Sequence, residues 1–291
     1  MRVAVAGIPG AWSSEQLAAS LRAEGTESCV LSPGDIVHDL GAGSVTWNGE
    51  DLRRLDGLAV KKLGDQSRAA SRLRLHALRA LERQGVRVFS PADVIDVAMD
   101  RYRMTMQLAE AGLPVPATIA AATEGGLLDA VARLGDCVVK PVYTSKGRGM
   151  VRVHRGDDDA ALQALDGDHL PYLAQQFIQS PGRDIGATVV GGTFIGAFYR
   201  VAQAGEWMTT TDAGGRYAPC DLSAKGIQYA ERASRAFGLD YTVVDLVEQG
   251  DDFLLYEVSA FGGFRGLKEA SNHDSAADYA RHIVRTLEAR R

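Results

Sequence analysis

The 291-residue chain lacks most features that would narrow its function at a glance. It has only three cysteines, Cys29, Cys137 and Cys220, odd in number and far apart. That pattern fits reduced thiols in a cytoplasmic protein rather than a disulfide framework or a zinc site. The six histidines are scattered, with no HExxH and no paired metal spacing. No apolar run approaches the ~18–20 residues needed to cross a bilayer. The strand-like run after Arg2 is also too short for a signal peptide's apolar segment. There is no basic excess: the net charge of −5 and pI near 5.7 argue against a nucleic-acid partner. Neither GxxxxGK[ST] nor GxGxxG occurs, and no Ser-His-Asp or Cys-His signature stands out. Gly7-Ile8-Pro9-Gly10 therefore reads as a strand-to-helix turn rather than a dinucleotide site.

What remains is an ordinary globular composition, 46% apolar and 24% charged, on a chain long enough for about two domains. The first ninety residues alternate strand and helix. Strands are expected at Val3–Ala6, Ser28–Leu31, Gly57–Leu63 and Val86–Phe89, with helices from Ser13 to Ala23 and from Gln66 to Gln84. Gly85 would end the second helix. Such alternation implies a mostly parallel sheet covered by helices. From Pro91 the texture changes to a small α+β unit. It has helices at Asp93–Met99, Arg101–Ala111 and Gly126–Leu134, a strand Cys137–Lys140, a glycine loop over 143–149 and a strand Met150–His154. The last third reads as strands near Tyr172–Ile178, Ile185–Val190 and Thr193–Arg200, with Gly191-Gly192 as a hairpin turn. Helices follow at 223–237 and 275–290.

Two carboxylates carry the first chemical signal. Asp245 lies in the β-branched run YTVVDLVEQ, and Glu257 and Ser259 lie in DDFLLYEVSAFGG. Adjacent antiparallel strands would aim Asp245 and Glu257 at one point. Convergent buried carboxylates are costly unless they hold a cation, and a hard divalent ion such as Mg²⁺ is the natural one. Lys140 ends the apolar strand CVVK, and Gly147 and Gly149 bracket Arg148 seven residues later. That grouping is either a polyphosphate cradle or a strand end with a polar hairpin. Lys61-Lys62, at the end of LAVKK, either grips a substrate carboxylate or forms a solvated strand end.

The order of these pieces resembles that of the ATP-grasp ligases, and within them the RimK-type α-L-glutamate ligase family. The resemblance runs from ALRALERQGVRVFSPADVIDVAMDRYRMTMQLAEAGLPVPAT through VVKPVYTSKGRGM, YLAQQFI, RDIGATVVGG and VVDL to YEVSAFGGFRGLKEA. It implies a mixed α/β and α+β chain: a Rossmann-like pre-ATP-grasp domain over 1–92, a small ATP-grasp subdomain over 93–172, and a C-terminal subdomain with the magnesium site over 173–291. It implies ATP and Mg²⁺ as cofactors, with Mn²⁺ able to substitute. Lys140 and Arg101 would touch phosphates, together with Ser145, Lys146 and Gly147 of the glycine loop. Gln175, Gln176, Phe177 and Ile178 would form the hinge whose backbone reads adenine, and Asp184 would bind the ribose. Arg200 would meet the transferred phosphoryl and the acyl phosphate, while Asp245, Glu257 and Ser259 would ligate magnesium. Lys62 and Arg265 are the candidate substrate contacts.

The chain departs from the family pattern at five of these places. Arg101 stands where lysine is usual, Gln176 where glutamate is frequent, Gly186 in place of a common arginine, and Thr210 and Ser259 where asparagines are expected. The implied reaction is ATP-dependent carbon–nitrogen ligation through an acyl phosphate. It would add L-glutamate or a similar amino acid to the carboxylate of a small cofactor or metabolite, as in cofactor biosynthesis. Alternative readings are a nucleotide-binding regulatory or scaffold protein of the same fold, motivated by Ser259, and a nicotinamide-dependent oxidoreductase. The oligomeric state stays open, with homodimer and homotetramer both compatible.

Overall fold

The computed structural model describes residues 1–64, 68–144, 147–155 and 171–291. At the N-terminus, β1 (Arg2–Ala6), α1 (Trp12–Ala23), β2 (Glu27–Leu31), β3 (Ile36–Asp39), β4 (Ser44–Trp47), β5 (Glu50–Asp51), β6 (Gly57–Val60), α2 (Arg68–Arg83) and β7 (Arg87–Phe89) follow in turn. β2-β1-β6-β7 is a parallel sheet. Its strands are near-continuous apolar runs because both faces are covered. The antiparallel β3-β4-β5 sheet was not anticipated. Its signal was Asn48-Gly49, both at positive φ between β4 and β5, a two-residue hairpin turn. Residue 66, where the second helix was expected to start, lies outside the described residues, and that helix is described from Arg68.

Next come α3 (Ala92–Met99), α4 (Arg101–Glu110), β8 (Thr118–Ala121), α5 (Glu124–Leu134), β9 (Cys137–Pro141), β10 (Val151–Val153) and β11 (Tyr172–Gln176). Asp100 caps α4 by accepting from Arg103 N–H, and Thr123 caps α5 through Gly126 N–H. The small sheet, β10-β9-β11-β8, is antiparallel and packs α5 over a core of its own that includes Val131, Cys137, Val139 and Tyr172. Helix α4 packs elsewhere: Met104 and Leu108 join Val244, Leu246 and Leu255 of the following sheet.

That sheet, ordered β14-β13-β12-β15-β16, comprises β12 (Arg183–Val190), β13 (Thr193–Val201), β14 (Arg216–Cys220), β15 (Tyr241–Gln249) and β16 (Asp252–Val258). Helices α6 (Ala224–Phe237), α7 (Arg265–Ser271) and α8 (Ser275–Glu288) accompany it. Gly191 and Gly192, at φ of +56° and +80°, make the hairpin turn expected between β12 and β13. Ile283 and Leu287 of α8 share a core with Leu17 and Leu21 of α1, so the last helix closes on the N-terminal sheet. Among the described residues, no helix is long and apolar enough to cross a membrane.

Candidate active site

A cleft of about 810 Å³ opens where the three main sheets meet. Asp245 and Glu257 are direct partners on β15 and β16, and the register shifts immediately after Asp245. Such a bulge re-aims a side chain without ending the pairing. Both line the cleft with Ser259. Asp245 is 9% exposed; one of its oxygens, Oδ2, meets Arg200 Nη2 at 2.8 Å. The other, Oδ1, is buried without a hydrogen-bond partner among the described residues. Ser259 Oγ donates to Glu257 Oε1 at 3.4 Å. Its backbone is fixed at both ends, with the N–H donating to Val243 O and the carbonyl accepting from Thr242 Oγ1. Burial raises the Asp245 carboxyl to about 7; Arg200 opposes that shift, while Glu257 and Asp184 reinforce it. A buried carboxylate oxygen with no donor, beside a second carboxylate and a hydroxyl, is a hard-oxygen set that fits Mg²⁺. Among the described residues no three His, Cys, Asp or Glu side chains gather as a metal cluster. The protein thus offers two carboxylates and a hydroxyl, and a bound polyphosphate is the natural source of further oxygens.

Arg200 on β13 lies directly opposite Asp184 on β12 and grips it with Nε at 2.7 Å and Nη2 at 3.1 Å. Thr209 Oγ1 also donates to Asp184, at 2.8 Å. Two carboxylates therefore converge on one guanidinium, which holds its pKa well above the ordinary arginine value despite burial. Gly186, the departure from the expected arginine, has a physical reason. A Cβ there would lie 2.4 Å from the Phe198 ring, and one at Gly266 would lie 2.2 Å from it. Phe198 is seated between two glycines.

On the opposite wall, Lys140 Nζ donates to Gln175 Oε1 at 2.5 Å, and Gln175 Nε2 donates to Thr118 Oγ1 at 3.0 Å. Burial lowers the Lys140 ammonium to about 8, aided by Arg101 and opposed by Glu257 and Asp245. Arg101, 9% exposed, donates from Nη1 to Pro141 O at 2.6 Å and Thr144 Oγ1 at 2.9 Å. Thr144 in turn donates to Arg148 O. Gly147 and Gly149 adopt φ of +73° and +66°, a conformation that glycine reaches without strain. Ser145 and Lys146 lie outside the described residues. Gln175, Gln176, Phe177 and Ile178 all line the cleft. However, Gln176 N–H already donates to Ala117 O at 2.8 Å and Phe177 N–H to Asp136 O at 2.9 Å. Those two hinge amides are engaged by the protein itself.

The substrate candidates diverge. Lys62 lines the cleft, its Nζ 5.8 Å from the Phe261 ring centroid. Lys61 turns the other way and is 2% exposed, donating to Gly262 O with its ammonium 3.8 Å from the Phe264 ring centroid. Neither a cleft-facing grip nor a solvated strand end describes it. Alternation along an extended backbone sends neighbouring side chains to opposite faces, and the face opposite the cleft here is the seam with the C-terminal sheet. Gly262 is required in that seam, since a Cβ would meet Val243 N at 2.8 Å. Arg265, exposed at the start of α7, sits 5.4 Å from the Trp12 ring centroid and is not among the cleft-lining residues. Sequence reasoning passed over Ile8, Trp207, Met208, Thr209 and Tyr256, which do line the cleft. A stretch, EWMTT, just before Gly214-Gly215 was the available sign for three of them.

Residues 98–286 match the model of the RimK-like ATP-grasp domain. The chain is 36% identical over 210 residues to a tetrahydromethanopterin:alpha-L-glutamate ligase of Methanosarcina acetivorans, covering 68% of this chain and 64% of that protein. It is 27% identical over 283 residues to the protein of that name in Methanococcus maripaludis, covering 95% of each. Human beta-citrylglutamate synthase B is 31% identical over 225 residues, covering 71% of this chain and 56% of that protein. Among solved structures, the ATP-grasp ligase PsnB with a minimal precursor, Mg and ADP superposes with TM-score 0.76 at 20% identity, covering 98% and 97% of the two chains. The D-cycloserine synthetase DcsG superposes with TM-score 0.77 at 18% identity, covering 98% and 99%. At such identities the likeness is one of fold.

Proposed function

Because the chain belongs to the RimK-like ATP-grasp family, we propose that it is an ATP-dependent carbon–nitrogen ligase joining L-glutamate, or a similar amino acid, to the carboxylate of a small acceptor. The observation that carries this reading is the buried oxygen of Asp245 that has no partner among the described residues, set beside Glu257, Ser259 and Arg200 and across from Lys140. Asp245, Glu257 and Ser259 would hold Mg²⁺, or Mn²⁺ with the same oxygen donors, and the ion supplies charge neutralisation on the transferred phosphoryl group. Lys140, Arg101 and the glycine loop would hold the phosphates, and Asp184 the ribose.

Amide formation from a carboxylate in water is uphill, so the acceptor carboxylate first attacks the γ-phosphorus of ATP, forming an acyl phosphate and releasing ADP. The amine of glutamate then attacks the acyl carbon. Phosphate leaves with the C–O bond, and the amine's surplus proton passes to solvent or phosphate. Arg200 would stabilise charge in both steps, and no side-chain nucleophile is needed. Lys62, which lines the cleft, would recognise a substrate carboxylate. Glutamate is favoured by the names of the relatives above, and those names give tetrahydromethanopterin and citrate as the first acceptors to try. A cytoplasmic location is part of this proposal, because the reaction consumes ATP.

The test is ADP release with ATP, Mg²⁺ and L-glutamate over a panel containing those two acceptors, read beside mass spectrometry of the product. Acceptor-dependent ADP release with a mass gain of one glutamyl residue supports the reading. Ser259 motivates a second one, a nucleotide-binding regulatory or scaffold protein, because a hydroxyl is a weaker magnesium ligand than an amide or carboxylate oxygen. Tight MgADP binding with no turnover across the panel would favour it.

A further inference from the structure

The hinge expected to read the base has two of its amide donors, Gln176 and Phe177 N–H, bound to Ala117 and Asp136 carbonyls. Those two donors are therefore not free for a base. After four exposed residues, Gln203 to Glu206, the chain turns Trp207 back into the cleft. Its indole meets the Phe177 ring edge-on, with centroids 6.3 Å apart and planes at 74°. Phe177 also carries the Arg152 guanidinium at 3.6 Å from its centroid. The residues after Trp207 fix its place. A Cβ built on Gly147 would lie 3.4 Å from Met208 Sδ, so Met208 sits against the glycine loop, and Thr209 donates to Asp184. Trp207, Met208 and Thr209 thus face the hinge, the glycine loop and Asp184 in turn.

We propose that Trp207 is a base-packing residue: its indole and the Phe177 ring form the two walls of the corner that takes the purine, so Trp207 sets the preference for a nucleotide over bare polyphosphate. The inference rests on the ATP-binding reading above. Stacking on an aromatic side chain tolerates many ring systems and adds affinity without hydrogen bonds, which suits a hinge two of whose donors are engaged.

Calorimetry on the full-length chain tests this, with MgADP and magnesium tripolyphosphate as probes against wild type, Trp207→Ala and Trp207→Phe. Trp207→Ala should weaken MgADP by roughly 5- to 100-fold, the range for losing one base–aromatic stack. Tripolyphosphate affinity should stay unchanged, and Trp207→Phe should restore most of the MgADP affinity. Equal weakening of both probes would overturn the proposal, since it would show Trp207 acting only by holding Met208 and Thr209. Unchanged MgADP affinity in Trp207→Ala would overturn it too. Wild type binding neither probe would instead overturn the ATP-binding reading on which the proposal stands.

Discussion

The two ends of the cleft are built differently. At the end proposed for the nucleotide the cations project from strands or a capped helix and rest on fixed partners: Lys140 on Gln175, Arg101 on Pro141 and Thr144, Arg200 on Asp184 and Asp245. At the other end Ile8 stands on a turn and Lys62 just beyond β6, with Ile8 48% exposed. Preorganised charges suit a reactant shared by every member of a family, the triphosphate. Loop-borne side chains suit a substrate that varies between members. The nucleotide end is accordingly where substitutions should abolish chemistry, and the acceptor end where they should change selectivity.

The largest effect should come from the nucleotide end. Asp245→Asn or Lys140→Ala should lower ADP release by roughly 10²–10³-fold, the scale of removing one preorganised charge contact, with far-UV circular dichroism unchanged. Undiminished turnover in either would remove the contrast. Next in size is a packing test beneath the same end. Gly266→Ala places a Cβ 2.2 Å from the Phe198 ring, and overpacking of this kind costs about 1–3 kcal/mol, measurable as a lower denaturant midpoint. A midpoint equal to wild type would show that Phe198 can move and does not brace the Arg200 strand.

At the acceptor end, Lys62→Met should raise the acceptor KM by roughly tenfold, about the worth of one charge-assisted hydrogen bond. The KM for ATP should hold steady, and a matched rise in both would erase the distinction between the ends. The smallest effect expected is one of pH. Lys140 is lowered from 10.5 to about 8 by burial, so its ammonium is present below pH 8 and lost above it. Phosphate favours the charged form. MgADP affinity should therefore fall several-fold between pH 8 and 9, with proton uptake on binding, measured by calorimetry in buffers of different ionisation enthalpy. The unfolded lysine keeps its proton to about 10.5, so the same shift makes folding more favourable, not less, as pH rises from 8 to 10.5. Affinity flat across pH 7–9 would show that Lys140 does not meet phosphate.

Much of the nucleotide end was legible in the sequence because secondary structure itself positions it. The apolar runs YTVVDLVEQ and DDFLLYEV are enough to set Asp245 and Glu257 on neighbouring strands, although the bulge that makes them direct partners was not legible, and the apolar run CVVK is enough to carry Lys140 to a strand end. The inward turn of Lys61 was not legible, because a lysine pair at a strand end gives no sign of which neighbour faces a second sheet. Nor was Trp207, whose place depends on contacts with Phe177, Gly147 and Asp184 that are distant in sequence. The β3-β4-β5 sheet carried its own sign in Asn48-Gly49, but its strands are too short and polar for periodicity to declare.

The central claim is that Asp245, Glu257 and Ser259 form a metal site completed by a nucleotide. Calorimetric titration of ADP with and without Mg²⁺, into wild type and Asp245→Asn, tests it most directly. The account predicts that Mg²⁺ tightens ADP binding at least tenfold in wild type and leaves the variant unchanged, a gap of about 1.4 kcal/mol or more. Equal ADP affinity with and without Mg²⁺ in the wild-type protein would contradict it.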